Sequence, residues 1–247
     1  MNTILITGCS SGFGLEIAKY FLERDWNVVA TMRTPRHDLL PASPKLRILP
    51  LDVADAGSIQ AAIAAAGPID VLVNNAGIGL LGAVEAITME RVREIFETNT
   101  FGTIAMTQAV LPQMRERNSG VVVNVTSSVT LKSLSLLAVY TASKAAVNGF
   151  TESLALELAP FGVRARVVLP GRSPSTRFAE NAGSRMEGTI PEAYAGIAAA
   201  VFENFKDDSQ VTYAHDVAEA VWRAATDASS PVRIPAGEDA VAWAAAA

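Results

Sequence analysis

After two residues the chain runs into the stretch TILITGCSSGFG, residues 3–14. The apolar run Thr3–Thr7 predicts a buried β-strand, and the helical pattern from Gly12 onward predicts that a helix follows at once. Gly8 permits a tight turn between them, and glycine at 12 and at Gly14 lets the backbone approach a ligand and lets the helix pack on the strand. The free N–H groups of such a helix attract anions. The turn therefore predicts a phosphate site, with a turn needed only for packing as the alternative.

Short apolar runs alternate with helical patterns along the rest of the chain. Strands are predicted at Thr3–Thr7, Val28–Met32, Leu46–Leu49, Val71–Val73, Val121–Thr126, Arg164–Leu169 and Val232–Ile234. Helices are predicted at Gly12–Arg24, Ala54–Ala66, Thr88–Glu116, Ala138–Leu158 and His215–Asp227. Apolar strands that alternate with helices are typical of a parallel sheet covered on both faces. Because no repeat or linker interrupts the pattern, we expect one Rossmann-type, doubly wound α/β domain over residues 1–247.

Two segments depart from this alternation. Residues 172–210 are rich in Gly, Ser, Pro and charge, and they become helical from about Pro191. Long irregular insertions are commonly lids or binding loops, so we expect a mobile substrate lid with Gly183 and Gly188 as flexible points. One apolar helical face is predicted there, formed by Tyr194, Ile197, Val201 and Phe205. For the alanine-rich tail Ala240–Ala247 we expect either a terminal strand extension or disorder.

Composition excludes several classes of protein. The 247 residues carry a net charge of −5, which gives no basic surface for nucleic acid or an anionic membrane. Cys9 is the only cysteine, so no intrachain disulfide can form, and we expect it to be an apolar filler in its turn. His37 and His215 lack metal-ligand spacing, so we expect no metal. With no signal peptide and no run of about 20 apolar residues, we expect a cytoplasmic protein.

A tyrosine–lysine pair carries the strongest chemical signal. Tyr140 and Lys144 are four residues apart and share one helical face, and Ser127 precedes the tyrosine at the end of an apolar run. An ammonium beside the phenol would lower the pKa of tyrosine from about 10 and let it exchange a proton near neutral pH. Together with the glycine-rich turn, this pattern indicates an enzyme that transfers a hydride and a proton.

Five motifs occur in order: the glycine-rich turn, Asn74-Asn75-Ala76-Gly77, Ser127, Tyr140-x-x-x-Lys144 and Pro170-Gly171. In this order the chain resembles the single-domain branch of the short-chain dehydrogenase/reductase family, over roughly residues 3 to 235. The resemblance implies a reaction between a nicotinamide cofactor and a carbonyl or secondary alcohol.

The resemblance also implies a role for each catalytic residue. Tyr140 would be the general acid or base, and Ser127 would hold the substrate oxygen. Lys144 would bind the nicotinamide ribose and lower the pKa of the tyrosine. Asn99 would hold a water molecule beside the lysine, with a simple helix-interior amide as the alternative. Ser128 is expected to point elsewhere.

A larger set would contact the cofactor. Asp52 and Val53 would lie beside the adenine, and Asp52 could cap the following helix in place of that role or in addition to it. The family usually places a threonine four residues after the glycine of Pro-Gly, where this chain has Ser175, with Thr176 one residue later. The role of Arg172 stays open between solvent, pyrophosphate and an acidic substrate. The cofactor-binding set is Gly8, Ser10, Ser11, Gly12, Phe13, Gly14, Arg33, Asp52, Val53, Asn75, Ala76, Gly77, Tyr140, Lys144, Pro170, Gly171 and Ser175.

The end of the second predicted strand bears on the choice of cofactor. An NAD-preferring fold carries a carboxylate there, which accepts a hydrogen bond from the ribose 2′-hydroxyl. Here Met32 takes that place and Arg33 follows it. Because a guanidinium binds a phosphate, we expect NADP(H) rather than NAD(H), with Arg36 and Ser10 assisting. A solvated loop charge is the alternative for Arg33.

The expected pocket walls are 78–81, 128–137 and the lid. Their apolar members favour an apolar ketone, and they are Leu80, Leu81, Val129, Leu131, Leu134, Leu136 and Phe178. A nucleotide-sensing binding protein without turnover is an alternative, although such relatives usually lose the tyrosine or lysine. Dehydration or epimerisation is a third possibility, found in longer chains.

The resemblance further implies assembly into a homodimer or homotetramer. The helices Thr88–Glu116 and Ala138–Leu158 would pair with those of a second copy. Their contact face is expected to include Ala145, Ala146, Phe150, Leu154 and Leu158, with packing inside one chain as the alternative.

Overall fold

The computed structural model describes residues 2–174, 176, 182–183, 185–205 and 209–246. Its strands are β1 (Thr3–Ile6), β2 (Asn27–Met32), β3 (Leu46–Pro50), β4 (Val71–Asn74), β5 (Gly120–Val125), β6 (Val163–Pro170) and β7 (Arg233–Ala236). Its principal helices are α1 (Gly12–Leu22), α2 (Ala56–Ala66), α3 (Met89–Phe96), α4 (Gly102–Glu116), α5 (Ala138–Leu158), α6 (Ala195–Asn204), α7 (Ala214–Thr226) and α8 (Glu238–Ala246).

The strands form one parallel sheet in the order β3-β2-β1-β4-β5-β6-β7. The chain therefore winds outward in both directions from β1 and β4. In such a sheet the carboxyl ends of the strands open a crevice where the winding reverses, and ligands bind there. The predicted doubly wound α/β fold is confirmed.

The side chains of each strand alternate between the two faces of the sheet, which explains why helices cover both faces. Ile4 and Ile6 of β1 belong to one apolar cluster, and Leu5 between them belongs to another. Successive side chains of a strand point to opposite faces, so an apolar strand must be covered twice. The first cluster packs under α1 and α7, and the second packs under α2, α4 and α5.

Leu154 and Leu158 of α5 belong to the second of these clusters and are 5% and 6% exposed. The prediction that they contribute to a face between two copies is therefore wrong, because they are already buried within their own chain. Ala145 and Ala146 are exposed, and Phe150 is partly buried. An intermolecular face on α5 would thus be formed by its small residues.

The predicted helix Thr88–Glu116 is interrupted. α3 and α4 are separated by a π-helical turn at Glu97–Phe101. Turns of this type concentrate at functional sites. The turn contains Asn99, which is 1% exposed.

The expectation for the alanine-rich tail is wrong, because most of it is α8. Glu238 and Asp239 occupy the first turn of this helix, where the positive end of the helix dipole favours carboxylates. Alanine then has the highest helix propensity of any residue. Capping acids followed by alanines explain a helix better than a strand.

The longest helix in the described residues is α5, with 21 residues. None of the helices in that part of the chain combines the length and the apolar character that a bilayer crossing requires.

Candidate active site

The glycine-rich turn joins β1 to α1 as predicted. Gly8 has φ +76°, and a Cβ there would stand 2.9 Å from the Cα of Ala76. A Cβ at Gly14 would stand 2.3 Å from the carbonyl oxygen of Gly8. Ser11 precedes α1 without capping it through its side chain, so the first N–H groups of the helix stay available to an anion. These features fit the diphosphate of a dinucleotide.

Thr7 and Asn75 fasten the loop after β4 to this turn. The Thr7 hydroxyl accepts hydrogen bonds from the backbone N–H groups of Asn75 and Ala76, both at 2.9 Å. The Asn75 amide donates to the carbonyls of Thr7 at 2.9 Å and Gly8 at 3.2 Å. The two loops at the reversal of the sheet therefore form one rigid floor. Sequence reasoning did not assign Thr7 this role, although its position at the end of β1 was a usable signal.

Tyr140 and Ser127 meet although they come from different elements. Ser127 follows the end of β5 and Tyr140 lies in the first turn of α5, and their side chains are hydrogen-bonded to each other. Both residues are buried, with 8% and 7% exposure. A phenol and an alcohol are thus held together at the carboxyl edge of the sheet.

The pKa of Tyr140 is raised, because burial disfavours the phenolate more than the hydrogen bond from Ser127 favours it. The prediction that Lys144 brings this pKa down toward neutrality is therefore wrong. Burial and the Ser127 hydrogen bond set this pKa without a contribution from Lys144, whose ammonium donates to the carbonyl of Val125 at 3.2 Å. Burial lowers the pKa of Lys144 itself to about 8.

Asn99 lies beside the lysine. Its side-chain oxygen accepts from the N–H of Ile78 at 2.8 Å, and its amide donates to the Ile78 carbonyl at 3.0 Å and the Ser143 hydroxyl at 3.1 Å. A Cβ placed on Gly77 would stand 3.2 Å from the Asn99 oxygen and 3.3 Å from the Lys144 nitrogen. The structure therefore brings Asn99, Gly77 and Lys144 together as expected. Ser143, which links Asn99 to the Tyr140 carbonyl at 2.7 Å, was missed.

Positions expected near the adenosine end of a cofactor lie at the carboxyl ends of β2 and β3. Met32 is buried, whereas Arg33 is exposed, and Arg36 is paired with Asp38 at 2.6 Å. Val53 is buried beside Asp52.

The alternative role of Asp52 as a helix cap is wrong. Its carboxylate accepts from the N–H of Ala54 at 3.0 Å, outside the helix. Asp55 caps α2 instead by accepting from the N–H of Ser58 at 2.7 Å.

The turn after β6 leads toward the lid. Arg172 donates to the carbonyl of Phe205 at 2.8 Å, so its side chain reaches the end of α6. Thr176 donates to the carbonyl of Ser173 at 2.9 Å. A Cβ on Gly12 would stand 3.5 Å from the Cβ of Thr176, which places this threonine over the glycine-rich turn. Ser175 and Phe178 lie outside the described residues.

A groove of about 520 Å³ runs between the loop after β5 and α6. Leu134 and Leu137 lie on one side, and Ile197, Val201 and Phe205 lie on the other. Three of the four residues of the predicted apolar face, Ile197, Val201 and Phe205, therefore line this groove. Leu80, which was expected in a pocket wall, does not line this groove, because it packs with Ile87 and Ile95 in a separate core cluster.

A family model described as short chain dehydrogenase matches residues 2–187. The chain belongs to the short-chain dehydrogenase family. The order of the glycine-rich turn, Ser127, Tyr140 and Lys144, and their assembly along one edge of the sheet, agree with this membership.

Characterised and uncharacterised members of this family are similar to the chain. An uncharacterized oxidoreductase of Bacillus subtilis, YusZ, is 42% identical over 178 residues, 68% of this chain and 63% of that protein. A 3-ketodihydrosphingosine reductase of Bacteroides thetaiotaomicron is 40% identical over 182 residues, 72% of this chain and 66% of that protein. Human retinol dehydrogenase 8 is 39% identical over 181 residues, 69% of this chain and 58% of that protein. The chain thus matches less than two thirds of the length of each.

Solved structures match the whole fold. A short-chain dehydrogenase from Streptomyces avermitilis has a TM-score of 0.84 at 33% identity, covering 99% of this chain and 91% of that one. A serine dehydrogenase complexed with NADP+ has a TM-score of 0.81 at 28% identity, covering 96% and 95%. A Burkholderia phymatum short-chain dehydrogenase/reductase in complex with NAD has a TM-score of 0.80 at 26% identity, covering 94% and 88%. The dehydrogenase fold therefore extends well beyond residue 187.

Proposed function

We propose that this short-chain dehydrogenase is an NADP(H)-dependent oxidoreductase that interconverts an apolar ketone and its secondary alcohol. The observation that carries the proposal is the buried hydrogen bond between Tyr140 and Ser127, one helical turn from Lys144. This arrangement lies at the same sheet edge as the glycine-rich turn, where the residues fit a dinucleotide.

The side chains divide the chemistry among them. When bound, the nicotinamide would supply or accept the hydride. Ser127 would donate a hydrogen bond to the substrate oxygen and orient it beside Tyr140. Because its raised pKa keeps Tyr140 protonated at neutral pH, its hydroxyl is ready to donate a proton to that oxygen. The Lys144 ammonium would bind the ribose of the nicotinamide, and the hydrogen bond from Ser127 favours the phenolate that remains.

A preference for NADP(H) is supported by the end of β2. Buried Met32 offers no carboxylate to repel a 2′-phosphate, and exposed Arg33 offers a guanidinium that can reach one. Related structures hold either NADP+ or NAD, so the preference rests on this chain's own residues.

An apolar substrate is supported by two observations. The groove beside α6 is walled by leucine, isoleucine, valine and phenylalanine side chains. Two similar proteins are named for 3-ketodihydrosphingosine and retinol. We further propose that residues 172–210, which include this wall of the groove, form a lid that closes over the cofactor and substrate.

The proposal is tested by following reduced-nicotinamide absorbance with the full chain. NADPH and NADH are each offered with a panel of aliphatic, aryl and steroid ketones, and with a phosphorylated sugar as the polar control. Oxidation of NADPH with an apolar ketone, faster than with NADH or the sugar, is expected. Tight cofactor binding without turnover on any member would favour the alternative of a nucleotide-sensing protein.

A further inference from the structure

Two buried side chains from the C-terminal part of the chain hold the turn that follows β6. Asp239 is 4% exposed and Thr212 is fully buried. The Asp239 carboxylate accepts from the backbone N–H of Arg172 at 2.6 Å. The Thr212 hydroxyl accepts from the N–H of Gly171 at 2.9 Å, and the Thr212 N–H donates to the carbonyl of Arg172 at 2.8 Å. Three main-chain groups of the turn are therefore fixed by two residues, and both lie beyond residues 2–187, the part of the chain that the family model matches.

The packing of this pair leaves room only for a glycine in the turn. A Cβ on Gly171 would stand 2.0 Å and 2.1 Å from the two carboxylate oxygens of Asp239. Such distances are far inside van der Waals contact, so any other residue would displace either the turn or Asp239. The carboxylate is thus in direct contact with the backbone it positions.

Hydrogen bonds satisfy the buried carboxylate. It accepts from the Thr212 hydroxyl at 2.7 Å and from the N–H of Ala240 at 2.9 Å, in addition to Arg172. Asp239 also lies in the first turn of α8, where the helix dipole favours a negative charge. Charge-assisted bonds of this kind are about twice as strong as neutral ones, so the turn is held firmly.

The turn occupies one side of the cofactor crevice. It begins at the carboxyl end of β6, beside β5 and Ser127. A few residues later Thr176 lies over Gly12 in the glycine-rich turn. A dinucleotide that places its diphosphate at Gly12 and its reactive ring near Tyr140 would therefore lie against this turn.

We propose that Asp239 is a positioning residue: through Thr212 and the backbone of Gly171 and Arg172 it sets the turn against the nicotinamide half of the cofactor. This inference rests on the proposed function, since it requires that the chain bind a nicotinamide dinucleotide. Asp239 does not touch the reacting atoms, and its effect is exerted through the turn.

Fragment binding separates positioning from simple stabilisation. We would measure the Kd values of NADPH, NADH and 2′,5′-ADP, which lacks the nicotinamide half, for the full chain and for Asp239→Ala, Asp239→Asn, Thr212→Val and Glu238→Gln. The last is the matched control, because it neutralises the exposed neighbouring carboxylate. Asp239→Ala should weaken NADPH by about tenfold or more, as expected for unpaired buried N–H groups, and change 2′,5′-ADP by less than about twofold.

The other variants test the same inference through different contacts. Asp239→Asn should weaken NADPH less than Asp239→Ala, because its oxygen can still accept from Arg172 and its amide can donate to Thr212, whose hydroxyl can donate to the Ala236 carbonyl at 2.9 Å, although the N–H of Ala240 then loses its acceptor. If Asp239→Ala does not fold, Thr212→Val should still weaken NADPH selectively, since it leaves the Gly171 N–H without that acceptor. Glu238→Gln should behave like the parent.

Two results would overturn the inference. Equal weakening of NADPH and 2′,5′-ADP in the variants would show a general structural role, and unchanged NADPH binding would show no role at all. A parent chain that binds neither NADPH nor NADH would instead refute the proposed function, and the inference with it.

Discussion

The hydroxyl of Tyr140 is hydrogen-bonded to the side chain of Ser127, which joins the first turn of α5 to the end of β5. The two residues are buried, so this bond is made away from bulk water, where electrostatic interactions are stronger. A substrate oxygen that binds between these hydroxyls would meet one group that orients it and one that can donate a proton. The proposed catalysis depends on this pair of hydroxyl groups.

Replacing Arg33 tests the choice of cofactor. Arg33→Ala should weaken NADPH binding by about 1.5–3 kcal/mol, because one charge-assisted contact to the 2′-phosphate is lost, and leave NADH nearly unchanged. The matched control is Arg93→Ala, which removes an exposed arginine on α3. Titration calorimetry with both cofactors measures the difference. An equal loss for both would make Arg33 a bystander.

Because Lys144 is buried, the free energy of unfolding should rise with pH in the mildly alkaline range. The pKa of this lysine is about 8 in the folded chain, against an ordinary value of 10.5. Above the folded value the unfolded chain binds more protons at this group than the folded chain, so the free energy of unfolding increases with pH from about 8 to 9, by up to about 1.4 kcal/mol per unit. Above pH 9 the Cys9 thiol acts in the opposite direction, because burial raises its pKa from 9.0 to about 12 and the unfolded chain loses the thiol proton first. Above pH 10 the raised pKa of Tyr140 adds to this opposing effect.

Urea unfolding without added cofactor at several pH values measures this rise. Lys144→Met should flatten the slope between pH 8 and 9, whereas Lys19→Met, at a partly exposed site on α1, should not. A rise that persists in Lys144→Met would assign it to another group.

If residues 172–210 form a lid, ligand binding should slow hydrogen exchange in this segment. Hydrogen exchange of α6, residues Ala195–Asn204, should slow when NADPH and a substrate analogue are added, since the helix faces the groove beside Leu134 and Leu137. Exchange in α7, which packs against α1 on the other face of the sheet, serves as the internal control. Unchanged protection of α6 with cofactor bound would leave the segment as fixed scaffold.

Assembly is predicted through the exposed small residues of α5. Light scattering should give at least twice the 26.0 kDa chain mass, and Ala146→Glu should shift it toward one chain by placing a charge in the contact. Leu156→Glu, near the C-terminal end of the same helix, shows whether the contact extends to that exposed leucine. A parent protein of 26.0 kDa would refute the assembly.

Local patterns in the sequence were enough to predict the fold, but not the hydrogen bond between Tyr140 and Ser127. Apolar strands alternate with amphipathic helices, and β1 and α5 begin where their patterns begin. Asn99 was predicted, but its π-helical turn was not, nor were its bonds to Ile78 and Ser143, which lie 21 and 44 positions away in the sequence. Asp239 could not be found this way, because it bonds to a backbone group 67 positions away. The predicted direction of the shift in the Tyr140 pKa was wrong, because the burial that raises this pKa exists only in the folded chain.

The most direct test of the account is turnover by Tyr140→Phe. This variant keeps the buried ring and removes the proton that the hydroxyl would donate. With NADPH and the best ketone of the panel, kcat should fall by about 10²–10⁴-fold, while the Kd of NADPH, measured on the same preparation, stays within about threefold. Near-normal kcat in Tyr140→Phe, with NADPH bound, would contradict the assignment of Tyr140 as the general acid.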